Sequence, residues 1–337
     1  MDFPANEMIS GSEAERHLHG KRLSVVVPAY NEQEVLPEFQ ARLSAVLDGL
    51  DLEAEIVYVN DGSRDSTLAV LHCLREQDPR IVILDLSRNF GKEIALTAGL
   101  DHARGDAVVV IDADLQDPPE MIPDLIRHWR DGHDVVYCRR IAREGETLLK
   151  KLTARLFYRL IRRISHIEIP EDTGDFRCLS RRAVDALKQF REQHRFMKGL
   201  FAWIGYSQKA VLYRRDPRFA GATKWNYWRL WTLAIEGITS FTTAPLKLAM
   251  YFGFITALGA FIYAVIIIYK TLMYGNPVAG YPSLTVIILF LGGVQLIAIG
   301  IIGEYLGRAF DETKGRPLYL VKGCYRTEGC EKMQRST

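Results

Sequence analysis

The chain has 337 residues, of which 48% are hydrophobic and 25% are charged, and its formal net charge is +2. This composition is that of a folded protein with one large domain or two smaller ones, and the near-neutral charge argues against a nucleic-acid-binding protein. The five cysteines are scattered and form no C-x-x-C pair, which favours reduced thiols over a disulfide framework or a zinc site. Residues 1–20 are polar and contain no signal-peptide core, so we expect a flexible N-terminal tail.

Five apolar runs then alternate with amphipathic segments. The runs are LSVVVPAY, AEIVYVND, RIVILDLS, AVVVIDAD and DVVYC, and the segments between them are 34–50, 66–77, 92–103 and 119–131. Nearly continuous apolar strands are typical of a parallel sheet that is covered on both faces. The alternation predicts a doubly wound α/β domain, in which ligands bind beyond the carboxyl ends of the strands.

Polar residues follow four of these runs, at the ends where ligands are expected. They occupy positions 28–32, 60–63, 88–92 and 112–114. The chain lacks G-x-G-x-x-G after the first strand and lacks G-x-x-x-x-G-K-[ST], which argues against a dinucleotide-binding dehydrogenase and a P-loop NTPase. A phosphate-bearing ligand is therefore expected to be held by a metal ion and by basic side chains.

The stretch VVVIDADLQDPPE ends a buried run with two carboxylates, Asp112 and Asp114, one residue apart. Such a pair repels itself and resists desolvation unless a cation lies between the oxygens. A solvated strand end or a helix cap is the alternative interpretation. Asp117, just before Pro118 and Pro119, is expected to be such a cap.

Two uncharged stretches, 248–269 and 283–303, lie in the last third of the chain. Each reaches the length of about 20 residues that spans a bilayer core, although a buried core helix would show the same composition. Basic residues flank the pair on both sides, whereas the connector carries a single lysine. The positive-inside rule therefore places both flanks, the N-terminal domain and both termini in the cytoplasm.

Six segments of the chain, taken together, resemble the family 2 glycosyltransferases of the GT-A fold, in the branch that acts on polyprenyl phosphates. They are VVVPAYNEQEVL, YVNDGSRDST, RNFGKEIALTAGLDHARGD, IDADLQDPPEMIPDLI, DTGDFRCLSRRAVDAL and RFAGATKWNYWRLWTLAIEGITSFTTAPL. The resemblance implies an inverting transferase that moves a single sugar, most commonly glucose, from a UDP-sugar to undecaprenyl phosphate. It places this reaction at the cytoplasmic face of a bacterial inner membrane.

The resulting domain organisation has five parts. They are the tail over 1–20, a cytoplasmic GT-A catalytic domain with a Rossmann-like, mostly parallel sheet over 21–224, an interfacial helix over 225–244, two transmembrane helices over 245–307, and a cytoplasmic extension over 308–337. The interfacial helix is expected because its stretch is rich in tryptophan and tyrosine, which concentrate at membrane interfaces.

The resemblance assigns metal and donor contacts to residues of this chain. Asp112, Asp114 and Gln116 would form the metal site, and their hard oxygen ligands suit Mg²⁺ or Mn²⁺. The donor-binding residues that it implies are Pro28, Tyr30, Glu32, Asp61, Lys92, Arg218 and Lys224. Arg218 and Lys224 would close over the diphosphate, and Glu32 has an alternative interpretation as a charge favoured by a helix dipole.

The acceptor side is assigned in the same way. Asp112 and Asp175 are the acidic residues expected at the reacting centre, and Arg140 and Lys150 match basic positions that bind the acceptor phosphate. A phosphate monoester is mostly dianionic at neutral pH, so it requires positioning cations more than a strong general base. The basic stretch around Lys150 is expected to be a helix on an anionic membrane surface or an ordinary solvated helix.

Two other functions remain open, a processive polysaccharide synthase and a non-catalytic module that binds nucleotide-sugars. The absence of Q-x-x-R-W and the small number of spans argue against the first, and the intact acidic set argues against the second. The expected partners are the bilayer, further copies of this chain in a homo-oligomer such as a tetramer, a flippase and a downstream transferase. The segment GRPLYLV is expected to pair with a neighbouring subunit.

Overall fold

The computed structural model describes residues 21–141, 173–193, 195–213, 244–274 and 281–326. These residues belong to two compact units, of which the first holds residues up to Tyr213 and again from Pro317, and the second holds residues from Ala244 to Arg316. The expected N-terminal tail, the interfacial helix and the basic stretch around Lys150 lie outside the described residues. The same is true of Arg218 and Lys224.

The first unit is built on one eight-stranded sheet. Its strands are β1 (Arg22–Ala29), β2 (Glu53–Asn60), β3 (Ile81–Leu86), β4 (Ala107–Val110), β5 (Val135–Arg140), β6 (Thr173–Ser180), β7 (Gln208–Tyr213) and β8 (Val321–Tyr325), in the order β7-β5-β6-β4-β1-β2-β3-β8. Strands β3, β2, β1 and β4 are parallel, β7 is parallel to β5, and β6 and β8 are antiparallel to their neighbours. The predicted α/β class with a mostly parallel sheet is confirmed.

Six described helices pack on this sheet. They are α1 (Leu36–Asp48), α2 (Thr67–Gln77), α3 (Lys92–His102), α4 (Ile122–Arg130, after a 3₁₀ turn at Pro119–Met121), α5 (Arg181–Lys188) and α6 (Met197–Trp203). Helices α1, α2 and α4 bury their apolar residues in one core with alternate residues of the strands, such as Val25 and Val27. Helix α3 lies against Val26 on the other face, where a Cβ on Gly99 would meet that side chain at 2.2 Å. Both faces of β1 are thus covered, which explains its nearly continuous apolar run.

The C-terminal extension forms part of the first unit. Strand β8 pairs antiparallel with β3 of the same chain, and Leu320 accepts a hydrogen bond from the Ser87 amide at 2.9 Å. Tyr319 donates to Asp101 at 2.9 Å, and Arg326 lies 3.4 Å from Glu55. Strand β8 thus completes the edge of its own sheet, and the expected pairing of residues 315–321 with a neighbouring subunit stays a prediction.

Two expectations from the sequence are wrong. Asp117 does not cap a helix: Pro118 precedes the 3₁₀ turn, and the Asp117 carboxylate is buried and accepts a hydrogen bond from Tyr213 Oη. Cys324 is disulfide-bonded, although Cys73 and the other two described cysteines are free thiols as expected. Scattered spacing in sequence does not keep cysteines apart in a folded chain.

The second unit consists of two long helices, α7 (Ala244–Tyr274) and α8 (Tyr281–Thr313). Within α8, the segment Phe290–Thr313 is long and apolar enough to cross a membrane, and it is the one segment of the described residues that meets both criteria. Helix α7 contains a shorter apolar segment, Tyr251–Tyr263. The helices coincide with the two uncharged stretches, and the second span of the predicted pair stays a prediction.

Candidate active site

The polar segments predicted from the sequence meet at the carboxyl edge of the central strands. The register aligns Ala29 of β1 with Asn60 of β2, and Asn60 with Asp85 of β3. The Asp61 amide donates to Ala29 O at 3.0 Å, and the Ile111 amide donates to Val26 O at 3.1 Å. The four loops that follow β1 to β4 therefore start side by side.

Asp61 fixes the loop between β3 and α3. Its carboxylate is buried and accepts hydrogen bonds from the backbone amides of Phe90 at 2.7 Å and Gly91 at 2.9 Å. Burial raises the pKa of Asp61, while these two bonds and the charge of Arg88 oppose the shift. Both oxygens thus support the segment that leads into Lys92, and the predicted contact of Asp61 with a nucleoside stays a prediction.

The loop after β1 presents the other predicted donor contacts. Tyr30 is 41% exposed, and Pro28 and Glu32 are half-buried. The Glu32 amide donates to Thr67 Oγ1 at 2.9 Å, and Asn31 has a positive φ of 55° and accepts from the Arg64 amide at 2.9 Å. Glu32 lies before α1 and outside its first turn, so the helix-dipole interpretation of that residue is wrong.

Lys92, Asp112 and Asp175 form the centre of the site. Lys92 begins α3, Asp112 follows β4 and Asp175 lies in β6. The Lys92 ammonium lies 2.7 Å from Asp112 Oδ2 and 2.5 Å from Asp175 Oδ2. A lysine therefore supplies the cation that the acidic segment after β4 requires, and it joins two carboxylates that are 63 positions apart in sequence.

The two carboxylates respond differently to this arrangement. Burial raises the pKa of Asp112, with the charges of Asp175 and Asp114 adding to the shift and Lys92 opposing it. Burial alone would also raise the pKa of Asp175, but the Lys92 ammonium and then the Lys198 ammonium hold that pKa well below its usual range. Asp175 is thus an anion at any physiological pH and a weak proton acceptor.

The acidic segment after β4 has the donor types that a hard divalent cation requires. Asp112, Asp114 and Gln116 are partly accessible and alternate with buried Ala113 and Leu115. The backbone amide of Gln116 donates to Asp114 Oδ1 at 3.1 Å, and this hydrogen bond stabilises the turn. Among the described residues no cluster of three or more histidine, cysteine, aspartate or glutamate side chains forms a complete metal site.

Two carboxylates and one amide oxygen fit Mg²⁺ or Mn²⁺, because these ions take oxygen ligands and leave positions for phosphate oxygens. Asp112 contacts Lys92 through its Oδ2 atom. The Oδ1 atom of Asp112 and the carboxylate of Asp114 are therefore the oxygens suited to a cation. The donor set of the segment therefore fits the predicted ion.

Arg140 lies beside this centre. Its Nε donates to Tyr213 Oη at 3.3 Å, and Tyr213 in turn donates to buried Asp117. A Cβ on Gly174 would lie 3.4 Å from Arg140 Nη2, so the guanidinium rests against the backbone that precedes Asp175. The structure thus brings the predicted acceptor-binding arginine next to the predicted acidic residue. Lys150, its predicted partner, lies outside the described residues.

Three functional candidates are missing from the sequence-based prediction, namely Glu93, Arg177 and Lys198. Arg177 is buried, donates to Gly174 O at 2.8 Å and stacks 3.8 Å from the Phe201 ring. Glu93 accepts the Met197 amide at 3.0 Å. The presence of an arginine in the segment DTGDFRC was the available sequence signal for Arg177. Glu93 and Lys198 carry no local sequence signal.

Comparison with known proteins decides the family. The model of Glycosyl transferase family 2 matches residues 24–188, and that of the GtrB C-terminal hairpin matches residues 244–309. An uncharacterized glycosyltransferase of Synechocystis sp. is 55% identical over 306 residues, which are 91% of this chain and 96% of the relative. The chain belongs to the family 2 glycosyltransferases. It is therefore a transferase enzyme, and the resemblance stated from its motifs is confirmed.

A second relative agrees with the assignment. SfII prophage-derived bactoprenol glucosyl transferase of Shigella flexneri is 49% identical over 305 residues, which are 90% of this chain and 99% of the relative. Glucosyl-3-phosphoglycerate synthase from Mycobacterium tuberculosis, solved in complex with Mn²⁺ and UDP-glucose, is 20% identical with a TM-score of 0.47. That comparison covers 70% of this chain and 83% of that chain. The family match over residues 24–188 and the mostly parallel sheet together identify a GT-A-like fold.

Proposed function

We propose that this enzyme transfers one glucose from UDP-glucose to undecaprenyl phosphate, with inversion, at the cytoplasmic face of the membrane. An acceptor phosphate oxygen forms a bond to the anomeric carbon while the bond from that carbon to the diphosphate oxygen breaks, and UDP leaves. The match over nine-tenths of the chain to a relative named bactoprenol glucosyl transferase supports this acceptor and this sugar.

The state of Asp175 is the observation that carries the proposal. A transferase that uses a hydroxyl acceptor requires a base to remove the hydroxyl proton. Here the acidic residue at the centre is ion-paired to Lys92 at 2.5 Å and its pKa lies well below its usual range, because the charges of Lys92 and Lys198 outweigh burial. An acceptor that is already a phosphate anion does not require such a base, and this is the acceptor that a cation-rich site favours.

The chain's own residues would then act as follows. Asp112, Asp114 and Gln116 would hold Mg²⁺ or Mn²⁺, which supplies charge neutralisation for the leaving diphosphate. Lys92 keeps Asp112 and Asp175 fixed relative to each other. Arg140, together with Lys150, would position the acceptor phosphate. The donor nucleoside would lie along the loop after β1, at Pro28, Tyr30 and Glu32, with Asp61 supporting the neighbouring loop and Arg218 and Lys224 closing over the diphosphate.

The membrane arrangement completes the proposal. We infer that α7 and α8 both span the bacterial inner membrane and that the catalytic domain and both termini lie in the cytoplasm. The uncharged composition of both helices and the basic flanks support this topology. An oligomer such as a tetramer, a flippase for the lipid-linked sugar and a transferase on the far side belong to the same proposal.

Sugar transfer by the full chain in detergent tests the donor and the metal. Undecaprenyl phosphate is supplied with a panel of UDP-sugars and with Mg²⁺, Mn²⁺ or EDTA. The molecular mass of the lipid product is then measured by mass spectrometry. Asp114→Ala is compared with Asp51→Ala, which removes an exposed carboxylate outside the site. We expect a product carrying one hexose that disappears with EDTA and with Asp114→Ala but persists with Asp51→Ala.

Other outcomes identify the competing functions. A product that grows by repeated addition would instead indicate a processive synthase. Binding of UDP-sugars without any product, with every metal and acceptor, would indicate the non-catalytic module. Transfer of a sugar other than glucose would correct the donor and leave the rest of the proposal in place.

A further inference from the structure

Helix α6 carries a second lysine to the centre of the site. Met197 and Lys198 begin this helix, and Glu93 of α3 accepts the Met197 amide at 3.0 Å. Glu93 directly follows Lys92, so this one hydrogen bond places Lys198 and Lys92 on adjoining segments. The Arg177 guanidinium, 3.8 Å from the Phe201 ring, fixes α6 to β6 at a second point.

Lys198 and Lys92 both act on Asp175, but only one of them contacts it. Lys92 occupies Asp175 Oδ2 at 2.5 Å. The positive charge of Lys198 also helps to hold the pKa of Asp175 below its usual range. No described residue forms an ion pair or a hydrogen bond with the Lys198 ammonium.

Asp175 retains an unused acceptor. Its side chain is 9% exposed, and Oδ1 is fully buried with no hydrogen-bond partner among the described residues. A buried carboxylate oxygen without a hydrogen-bond partner is unfavourable and rare in native proteins. Within the described part of the chain, Asp175 Oδ1 is thus an acceptor without a donor, and the Lys198 ammonium is a donor without an acceptor. Both lie in the same part of the site.

A hydroxyl group satisfies both at once, because it donates one hydrogen bond and accepts another. A phosphate or carboxylate cannot do so, since it would accept from Lys198 but repel Asp175. We propose that Asp175 Oδ1 and Lys198 bind one hydroxyl of the transferred sugar, and that Lys198 is a residue that determines recognition of the sugar rather than of UDP.

This inference rests on the proposed nucleotide-sugar donor but not on the acceptor. Glu93 is a positioning residue in it, since it acts through the Met197 amide. Neither Glu93 nor Lys198 was assigned a role from the sequence.

Binding of UDP and UDP-glucose to the full chain in detergent, measured by calorimetry without acceptor, tests the proposal. The variants are Lys198→Met, Lys198→Gln and Lys198→Arg, with Lys209→Met on the exposed strand β7 as the matched control. We expect Lys198→Met to weaken UDP-glucose about tenfold, as for a lost hydrogen bond to a charged group, and to leave UDP unchanged. Lys198→Arg should restore part of the affinity, and Lys209→Met should alter neither ligand.

Deoxy analogues of UDP-glucose identify the hydroxyl and remain usable if a variant unfolds. With the unsubstituted protein, one of the 2-, 3-, 4- and 6-deoxy donors should bind about tenfold more weakly. The Lys198→Met and Lys198→Gln variants should bind that analogue as tightly as they bind UDP-glucose, since the substitution and the missing hydroxyl remove the same interaction.

Three results would overturn the inference. The first is an equal loss of UDP and UDP-glucose affinity in Lys198→Met. The second is a full series of deoxy donors that bind as well as UDP-glucose. The third is a failure of the unsubstituted protein to bind any UDP-sugar, which would also overturn the proposed donor, whereas a failure to use undecaprenyl phosphate would affect only the acceptor.

Discussion

At the scale of single residues, the site depends on one lysine between two carboxylates. Lys92 lies within 2.7 Å of Asp112 and 2.5 Å of Asp175. Removing it would leave two carboxylates without their shared cation, and the pKa of at least one would rise. The same lysine explains how a strand can end in an acidic segment without a metal ion to neutralise all of it.

We predict that Lys92→Met lowers kcat for sugar transfer at least about a hundredfold, since a mispositioned centre costs that much. Initial rates over a range of UDP-glucose concentrations measure this loss, and Lys209→Met is the control for a generic loss of positive charge. A Lys92→Met enzyme with a rate within threefold of the unsubstituted enzyme would show that the ion pairs are not part of the reacting centre.

Glu93 makes stability depend on pH. Burial, followed by the charge of Asp175, raises its pKa to about 7 from an ordinary value near 4.5. A carboxyl group with a raised pKa in the folded state stabilises the fold fully below its unfolded pKa, and this contribution is lost as pH rises through the folded pKa. The loss therefore falls between about pH 4.5 and pH 7. The cations near it, Lys92 and Lys198, limit the shift.

We predict that Glu93→Gln becomes more stable relative to the unsubstituted protein as pH rises from 5 to 8, because the variant never buries that charge. Thermal unfolding midpoints at several pH values measure the difference, with exposed Glu38→Gln on α1 as the matched control. A difference that stays constant over this range would show that Glu93 does not titrate there.

Sequence analysis identified the functional residues that lie in recognisable local patterns. Asp112, Asp175, Lys92 and Arg140 all stand at strand ends or in recognisable motifs, and the structure brings them together. Lys198 could not be found in this way, because its position depends on a hydrogen bond between residues 104 positions apart. Asp117 was misassigned because a buried acceptor for a tyrosine and a helix cap have the same local pattern.

At the scale of elements, the loop after β2 is held against the loop after β3 by a glycine. Gly62 has a φ of +61°, and a Cβ there would lie 2.4 Å from the backbone of Arg88. The two loops carry Asp61 and the approach to Lys92, so their close packing positions the centre.

We predict that Gly62→Ala destabilises the fold by about 1–3 kcal/mol more than Gly205→Ala does. Gly205 has a similar φ of +68°, but a Cβ there would meet no atom closer than 3.9 Å, so the comparison isolates the steric clash from the backbone strain. Chemical denaturation of the two variants measures it. Equal destabilisation by Gly62→Ala and Gly205→Ala would contradict this prediction, because the loops after β2 and β3 could then move apart at little cost in free energy.

The first five strands in the chain were predictable and the last three were not. Strands β1 to β5 are apolar runs, and the structure places each within two residues of its predicted start. Strand β6 carries Asp175 and Arg177 at buried positions, which interrupt its apolar pattern, and β7 at the sheet edge has only a short apolar run over 210–213. Strand β8 joins the sheet only after two long helices, and no local pattern indicates that return.

At the scale of the whole molecule, helices α7 and α8 are the elements on which the proposed membrane topology depends. One segment of the described residues, Phe290–Thr313, meets the length and hydropathy criteria for a span. If α7 and α8 both span the inner membrane, the connector between them lies on its periplasmic side and the exposed thiol of Cys73 lies in the cytoplasm.

We predict that Asn276→Cys is labelled by a membrane-impermeant maleimide in intact cells, whereas Cys73 is labelled only after lysis. Mass spectrometry of the two peptides reads both sites in one sample, and Cys73 serves as the internal control. Labelling of both cysteines before lysis, or of neither, would contradict two spans with a cytoplasmic catalytic domain.

The central claim is that this site uses a phosphate anion as acceptor and requires no strong base. The most direct measurement compares transfer from UDP-glucose to undecaprenyl phosphate and to undecaprenol, the same lipid with a free hydroxyl. We predict transfer to the phosphate alone, with a rate that rises with pH through about 6 as the phosphate loses its second proton. Comparable transfer to undecaprenol would contradict the account, because Asp175 would then have to act as the base that its ion pair with Lys92 prevents.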